Sequence, residues 1–243
     1  MTEPQPLAAR QPDVPPWSWT DAALLAGLAF PAVLLALALN LGMLLVFPSP
    51  QPDALRAIGV QFAAYGVWFT ALWLLLRHRY QVSFWPALGW RVPWPRMSPT
   101  LFLGPALVVL VVALGELLHT PVIDNAIQRL LRDRLSIIVV GFFATTLGPL
   151  AEELIFRGFL QPLTVRTFGA WPGIALASLP FALLHGPQYS WSWQHVLLLF
   201  FASFVFGLVR WKSDSTAAST LVHATYNLTF YIGFLLQRKD LLN

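Results

Sequence analysis

From Ala22 to Phe47 the chain runs for 26 residues without a charged side chain. A stretch beyond about 18 apolar residues marks a membrane span, and several runs in this sequence reach that length. Composition agrees. Apolar residues make up 57% of the 243 and charged residues 11%, against roughly 25% charged in soluble domains. The expected fold class is therefore all-α, a polytopic membrane protein. Apolar length predicts seven spans: Ala22 to Phe47, Ala54 to Leu76, Leu101 to Leu118, Ser136 to about Leu160, Trp171 to His185, His195 to Trp211, and Thr216 to Leu236. An eighth element, Pro121 to Leu135, sets Val122, Ile123, Ala126 and Leu130 among charges and reads as an amphipathic helix at the interface. Residues 1–20 are proline-rich and polar and read as a disordered arm, leaving 21–243 as the helical transmembrane domain. With Arg10 its only basic residue and a long apolar run behind it, the arm does not resemble a signal peptide.

Tryptophan supports bilayer helices over buried helices of a soluble protein. Nine of eleven lie in the arm or near predicted span ends: Trp17, Trp19, Trp85, Trp90, Trp94, Trp171, Trp191, Trp193 and Trp211. That is the pattern of an interfacial belt. The net charge of +4 suits anionic lipid headgroups. Its basic residues sit in short loops and form no stripe, which excludes nucleic acid as a partner. Arg77, Arg79, Arg91, Arg96, Arg166, Arg210 and Lys212 fall on one side if seven spans alternate. That side is expected to be cytoplasmic, with the N-terminus. Arg129, Arg132, Arg134, Arg238 and Lys239 dissent. The absence of cysteine excludes disulfides, thiolate zinc sites and a cysteine nucleophile.

Against this background, "PLAEELIFRGFLQPL" (Pro149 to Leu163) places three charges inside a span. Glu153 and Arg157 are four apart and share a helix face; Glu152 points about 100° away. One carboxylate is thus expected to be paired and one free. Ionisable residues in a span are costly and mark function by default. A carboxylate in low dielectric holds its charge at a cost, which suits it to general base work. Taken alone, the three charges serve equally well as a structural ion network. "SLPFALLHGPQ" puts Phe181 and His185 four apart, and "STLVHATYNLTF" does the same for His223 and Asn227. Counted from the presumed cytoplasmic ends, Glu152, His185 and His223 lie about 14, 21 and 12 Å deep, all within the hydrocarbon core. They are expected to converge on one polar cavity. No serine or threonine is placed as a nucleophile, so water is the natural attacking group. Glu152 would take its proton, His185 would help hold it, and His223 with Asn227 would donate to the developing oxyanion. This is amide hydrolysis inside a membrane.

These residues resemble a known family. "EELIFR" matches the Glu-Glu-x-x-x-Arg motif of the CAAX-protease and bacteriocin-processing (CPBP, or Abi) intramembrane proteases. "FALLH" resembles its Phe-x-x-x-His motif and "HATYN" its His-x-x-x-Asn motif, in the family's order. The motif region, within 149–227, is about a third of the chain; the first three spans carry no motif. The resemblance implies a membrane fold of about eight helices around a conical cavity. Glu152 and His185 would activate the water, His223 and Asn227 would form the oxyanion site, and Glu153, Arg157 and Phe181 would support them. It also implies a membrane-anchored protein or peptide substrate, prenylated in the eukaryotic relatives. The expected setting is a bacterial cytoplasmic membrane. No obligatory metal is expected, since the His-Glu-x-x-His helix is absent. Zinc or another divalent ion, if bound, would take Glu152, His185 and His223 as ligands. Two other functions suit the scaffold: a non-cutting membrane binding or bacteriocin-immunity protein, and a proton-coupled transporter using Glu152. The complete residue set argues against the first, and the absence of repeat halves against the second.

Outside the motifs, Gly148-Pro149 is expected to bend the fourth span, or merely to pack there. Glu116 and His119 read as interfacial, and His78 and His195 as span-edge residues without a role.

Overall fold

A computed structural model describes residues 15–46, 53–92, 98–131 and 133–237, and every regular element among them is helical. Trp94, Arg96, Arg132, Arg238 and Lys239, used above for the belt and the orientation, lie outside the described residues, as does the arm through residue 14.

Helix α1 (Trp19–Val46) and α2 (Asp53–Leu74) form an antiparallel hairpin. Small residues set their approach. Ala32 and Ala36 are buried one turn apart on α1, and Trp68 of α2 donates its indole N–H to Leu25 O at 2.8 Å. Most of the other large side chains of α1 point outward, as a lipid-facing helix requires. The chain then passes through a π turn (Leu75–Arg79) and a short α3 (Phe84–Ala87) to a 3-10 turn (Ser98–Phe102) and α4 (Leu103–Leu117). On α4, Leu107, Val108 and Val111 pack against Leu198, Ala202 and Phe206 of α10 (Trp193–Ser213) and Val222 and Tyr226 of α11 (Thr216–Gln237).

The central helix runs unbroken from Arg134 to Phe168 but changes pitch twice. It comprises α6 (Arg134–Phe142), a π segment (Phe143–Leu147), α7 (Gly148–Glu153), a second π segment (Leu154–Leu160) and α8 (Gln161–Phe168). Each π segment ends two residues before a proline, Pro149 and Pro162. Proline has no N–H, and its ring clashes with the carbonyl four residues back. Widening the turn relieves both problems without breaking the helix. The bend expected at Gly148-Pro149 is therefore a change of pitch. Gly169, at φ +83°, then reverses the chain into α9 (Ala170–Leu184).

A helix occupies each of the seven predicted spans. Among the described residues five are both long and apolar enough to cross a bilayer. α9 has only 15 residues. α11 is long enough at 22 but carries Ser219, Thr220, His223, Thr225, Asn227 and Thr229. The amphipathic helix expected over Pro121–Leu135 is corrected. A short α5 (Ala126–Leu130) forms, capped by the Asn125 side chain on Ile127 N; Arg134 and Leu135 already belong to the central helix, and no helix forms over Pro121–Asp124. Pro121 and two β-branched residues disfavour helix there. The described part of the arm is packed against the body. Trp17 is fully buried, stacks on Phe159 at 5.0 Å and donates to Phe159 O at 3.0 Å, and α1 begins at Trp19. Trp17 therefore belongs to the core and not to the interfacial belt.

Candidate active site

Adjacent positions on α7 meet opposite surroundings. Glu153 is fully buried, and both of its oxygens are occupied. Oε1 accepts from Arg157 and faces His223 Nδ1, each at 3.0 Å; Oε2 accepts from Ser219 Oγ at 2.5 Å. Arg157, 1% exposed, donates onward to Ser203 O and Oγ at 2.5 and 2.7 Å. Its guanidinium lies 5.1 and 5.5 Å from the ring centroids of Phe181 and Phe206. A buried ion pair persists only with its remaining donors and acceptors satisfied. Ser203 and Ser219 do this, and in doing so bolt the central helix to α10 and α11.

Glu152 turns the other way. Its side chain is 23% exposed and lines a cavity of about 830 Å³ together with His185, His223 and Asn227. Oε1 lies 3.9 Å from His185 Nε2, and Oε2 lies 3.7 Å from His223 Nε2. Both separations exceed a direct hydrogen bond and are within reach of a bridging water. The far nitrogens fix the rings. His185 Nδ1 lies 2.8 Å from Phe181 O, which only accepts, so Nδ1 carries the hydrogen. His223 Nδ1 faces the Glu153 carboxylate in the same way. In the neutral rings both Nε2 atoms therefore present lone pairs toward Glu152. Phe181 holds the pair together, stacked on His185 at 4.5 Å and edge-on to His223 at 5.7 Å. Phe206 stacks on His223 at 4.5 Å.

Asn227 reaches the cavity through the first π segment. Its amide donates to Ala144 O at 2.8 Å. A π turn would pair that carbonyl with the N–H of residue 149, which is proline. Asn227 supplies the missing donor and keeps its second N–H.

The structure thus brings Glu152, His185, His223 and Asn227 to one cavity wall, with Glu153, Arg157 and Phe181 behind it. Sequence reasoning missed Ser203, Ser219 and Phe206. Ser219 had a signal, since it stands one turn before His223; the other two had none. Glu116 and His119, read from the sequence as interfacial, also line this cavity. Two imidazoles and a carboxylate are the donor types of a catalytic zinc. Among the described residues, however, no group of three such side chains is placed to hold a metal ion.

No curated protein and no solved structure matches the chain. Residues 134–229 match the family model described as type II CAAX prenyl endopeptidase, Rce1-like. That stretch, about two fifths of the chain, contains all seven of the motif side chains and both serines, so the likeness to CAAX-type proteases covers the part of the chain that builds this cavity wall.

Proposed function

We propose that the protein is an intramembrane endopeptidase that hydrolyses a peptide bond of a membrane-associated protein or peptide, prenylated substrates included. One observation carries this proposal: an unpaired carboxylate faced by two imidazole Nε2 atoms, 3.7 and 3.9 Å away, in the wall of a cavity large enough for a peptide segment. A water in that gap gives one proton to Glu152, with His185 Nε2 accepting its second hydrogen bond. The remaining hydroxide attacks the scissile carbonyl carbon. Asn227 donates its free N–H to the oxyanion; His223 Nε2 also donates when its ring carries a second proton. Collapse breaks the C–N bond, and Glu152 returns its proton to the leaving amine. Glu153 and Arg157 position His223 and touch no reacting atom. No step uses a metal.

The test is cleavage of membrane-anchored peptides, with and without a prenyl group, by the reconstituted protein. Glu152→Gln keeps the shape of the side chain and removes the base, so the rate should fall about 10²–10⁴-fold with the unfolding midpoint unchanged. Undiminished cleavage removes Glu152 from the reaction. No cleavage of any substrate by the wild type leaves the binding-protein alternative in possession of the scaffold. Exhaustive chelation should leave the rate intact; loss that zinc restores would assign Glu152, His185 and His223 to an ion.

A further inference from the structure

A second hollow is lined by none of the residues around Glu152. Where α2 ends in its π turn, the chain doubles back through Val82 and Ser83 into α3. Trp73, Arg77, Val82, Ser83, Phe84 and Trp85 line the resulting space of about 360 Å³. It shares no lining residue with the catalytic cavity.

Its chemistry is that of an amphiphile's receptor. Arg77 is exposed and, among the described residues, makes no hydrogen bond or ion pair. Arg79, two residues on, is drawn instead to Asp21 at 3.4 Å. A guanidinium left open presents a planar fork of donors suited to phosphate oxygens, and the Ser83 hydroxyl adds another donor. Three aromatic rings and Val82 form the remaining walls, which suits an apolar tail better than a hydrated free ion. The hollow sits at the end of a membrane-length helix, where indoles mark headgroup level. The geometry points to a binding site for the headgroup of an anionic phospholipid at this hollow.

The loop that walls this site also braces the catalytic helices. Leu88 is fully buried against Gly158 of the central helix, where an added Cβ would lie 3.0 Å from the Leu88 Cβ. Leu88 O accepts from Thr216 Oγ1 at 2.6 Å and Gly89 O from Thr216 N at 2.9 Å, at the start of the helix that carries His223. A headgroup held by Arg77 and Ser83 stiffens this loop and, through it, both helices.

The test uses the full-length protein in zwitterionic detergent, with dioleoylphosphatidylglycerol, dioleoylphosphatidylcholine or sodium phosphate added. Two readouts are taken, the unfolding midpoint and the lipid retained in native mass spectrometry. Phosphatidylglycerol should raise the midpoint and be retained; phosphatidylcholine and phosphate should do neither. Arg77→Gln should weaken retention about tenfold, the loss of one charge-assisted hydrogen bond. Ser83→Ala should weaken it less, and Lys212→Gln, an exposed cation elsewhere, not at all. Equal retention by wild type and Arg77→Gln overturns the site, and equal loss in Lys212→Gln shows general surface attraction instead. A shift reproduced by phosphate alone replaces the lipid with a small anion. If Arg77→Gln does not fold, Trp85→Ala and Ser83→Ala decide the matter by retention. Neither readout involves proteolysis, so the outcome is independent of the proposed reaction.

Discussion

Glu152 and Glu153 differ by one step along a helix, and that step separates a carboxylate facing a cavity from one sealed in the core. The 100° rotation between them turns one carboxylate into a cavity and seals the other among Arg157, Ser219 and His223. Removing one member of a sealed pair leaves a buried charge uncompensated, at about 3–5 kcal/mol. Glu153→Gln and Arg157→Met should each lower stability by about that much in denaturant titrations. The double variant should lose much less than the sum, because no charge then remains to strand. Strict additivity would mean that the two side chains do not stabilise each other. The contrast in pairing was legible in the sequence because helix geometry is local: four apart pairs, adjacent does not. What Glu153 does for His223 was not legible, since no local rule relates residues separated by 70 positions.

At the scale of elements, apolar length located a helix at each of the seven predicted positions, to within a few residues at most ends, because lipid demands continuous helices. It could not reveal pitch. The π segments before Pro149 and Pro162 follow from the missing prolyl N–H, but an α-helix with one absent hydrogen bond would satisfy the same sequence. The short Ala126–Leu130 helix was misjudged because spacing of apolar residues was read without weighing Pro121 and the Asn125 cap. The first π segment makes its own prediction. Asn227→Ala removes a side-chain donor to Ala144 O and should cost about 1–3 kcal/mol, together with about 10²–10³-fold in cleavage rate. In a Pro149→Ala background, residue 149 regains an N–H for that carbonyl. The stability penalty of Asn227→Ala should then shrink to below about 1 kcal/mol while its rate defect persists. Equal penalties in both backgrounds would show that Ala144 is not the partner through which Asn227 stabilises the helix.

Across the whole molecule, the site is assembled from three helices and clamped from outside by a segment that carries no motif. Arg166 on α8 donates to Pro15 O and Trp17 O at 2.7 and 3.1 Å, drawing the chain before α1 across the central helix. Trp17 then fills a space among Leu25, Trp68, Leu154, Phe159 and Leu163. Leu154 directly follows the two glutamates, so the packing of Trp17 reaches the backbone that aims them. Composition suggested an arm because proline and polar residues dominate the stretch around Trp17; a single aromatic side chain outweighs them by the area it buries. Trp17→Ala should therefore cost about 3–5 kcal/mol, seen as a lower unfolding midpoint in detergent. Trp17→Phe keeps an aromatic ring against Phe159 but loses the indole hydrogen bond and part of the ring volume, so it should cost less than Trp17→Ala, about 1–3 kcal/mol. If the clamp positions the glutamates, cleavage by Trp17→Ala at temperatures well below its midpoint should be slower than wild type, with Trp17→Phe close to wild type. A Trp17→Ala variant that unfolds early but cleaves at the wild-type rate while folded would confine Trp17 to stability and leave the aim of Glu152 to α10 and α11 alone.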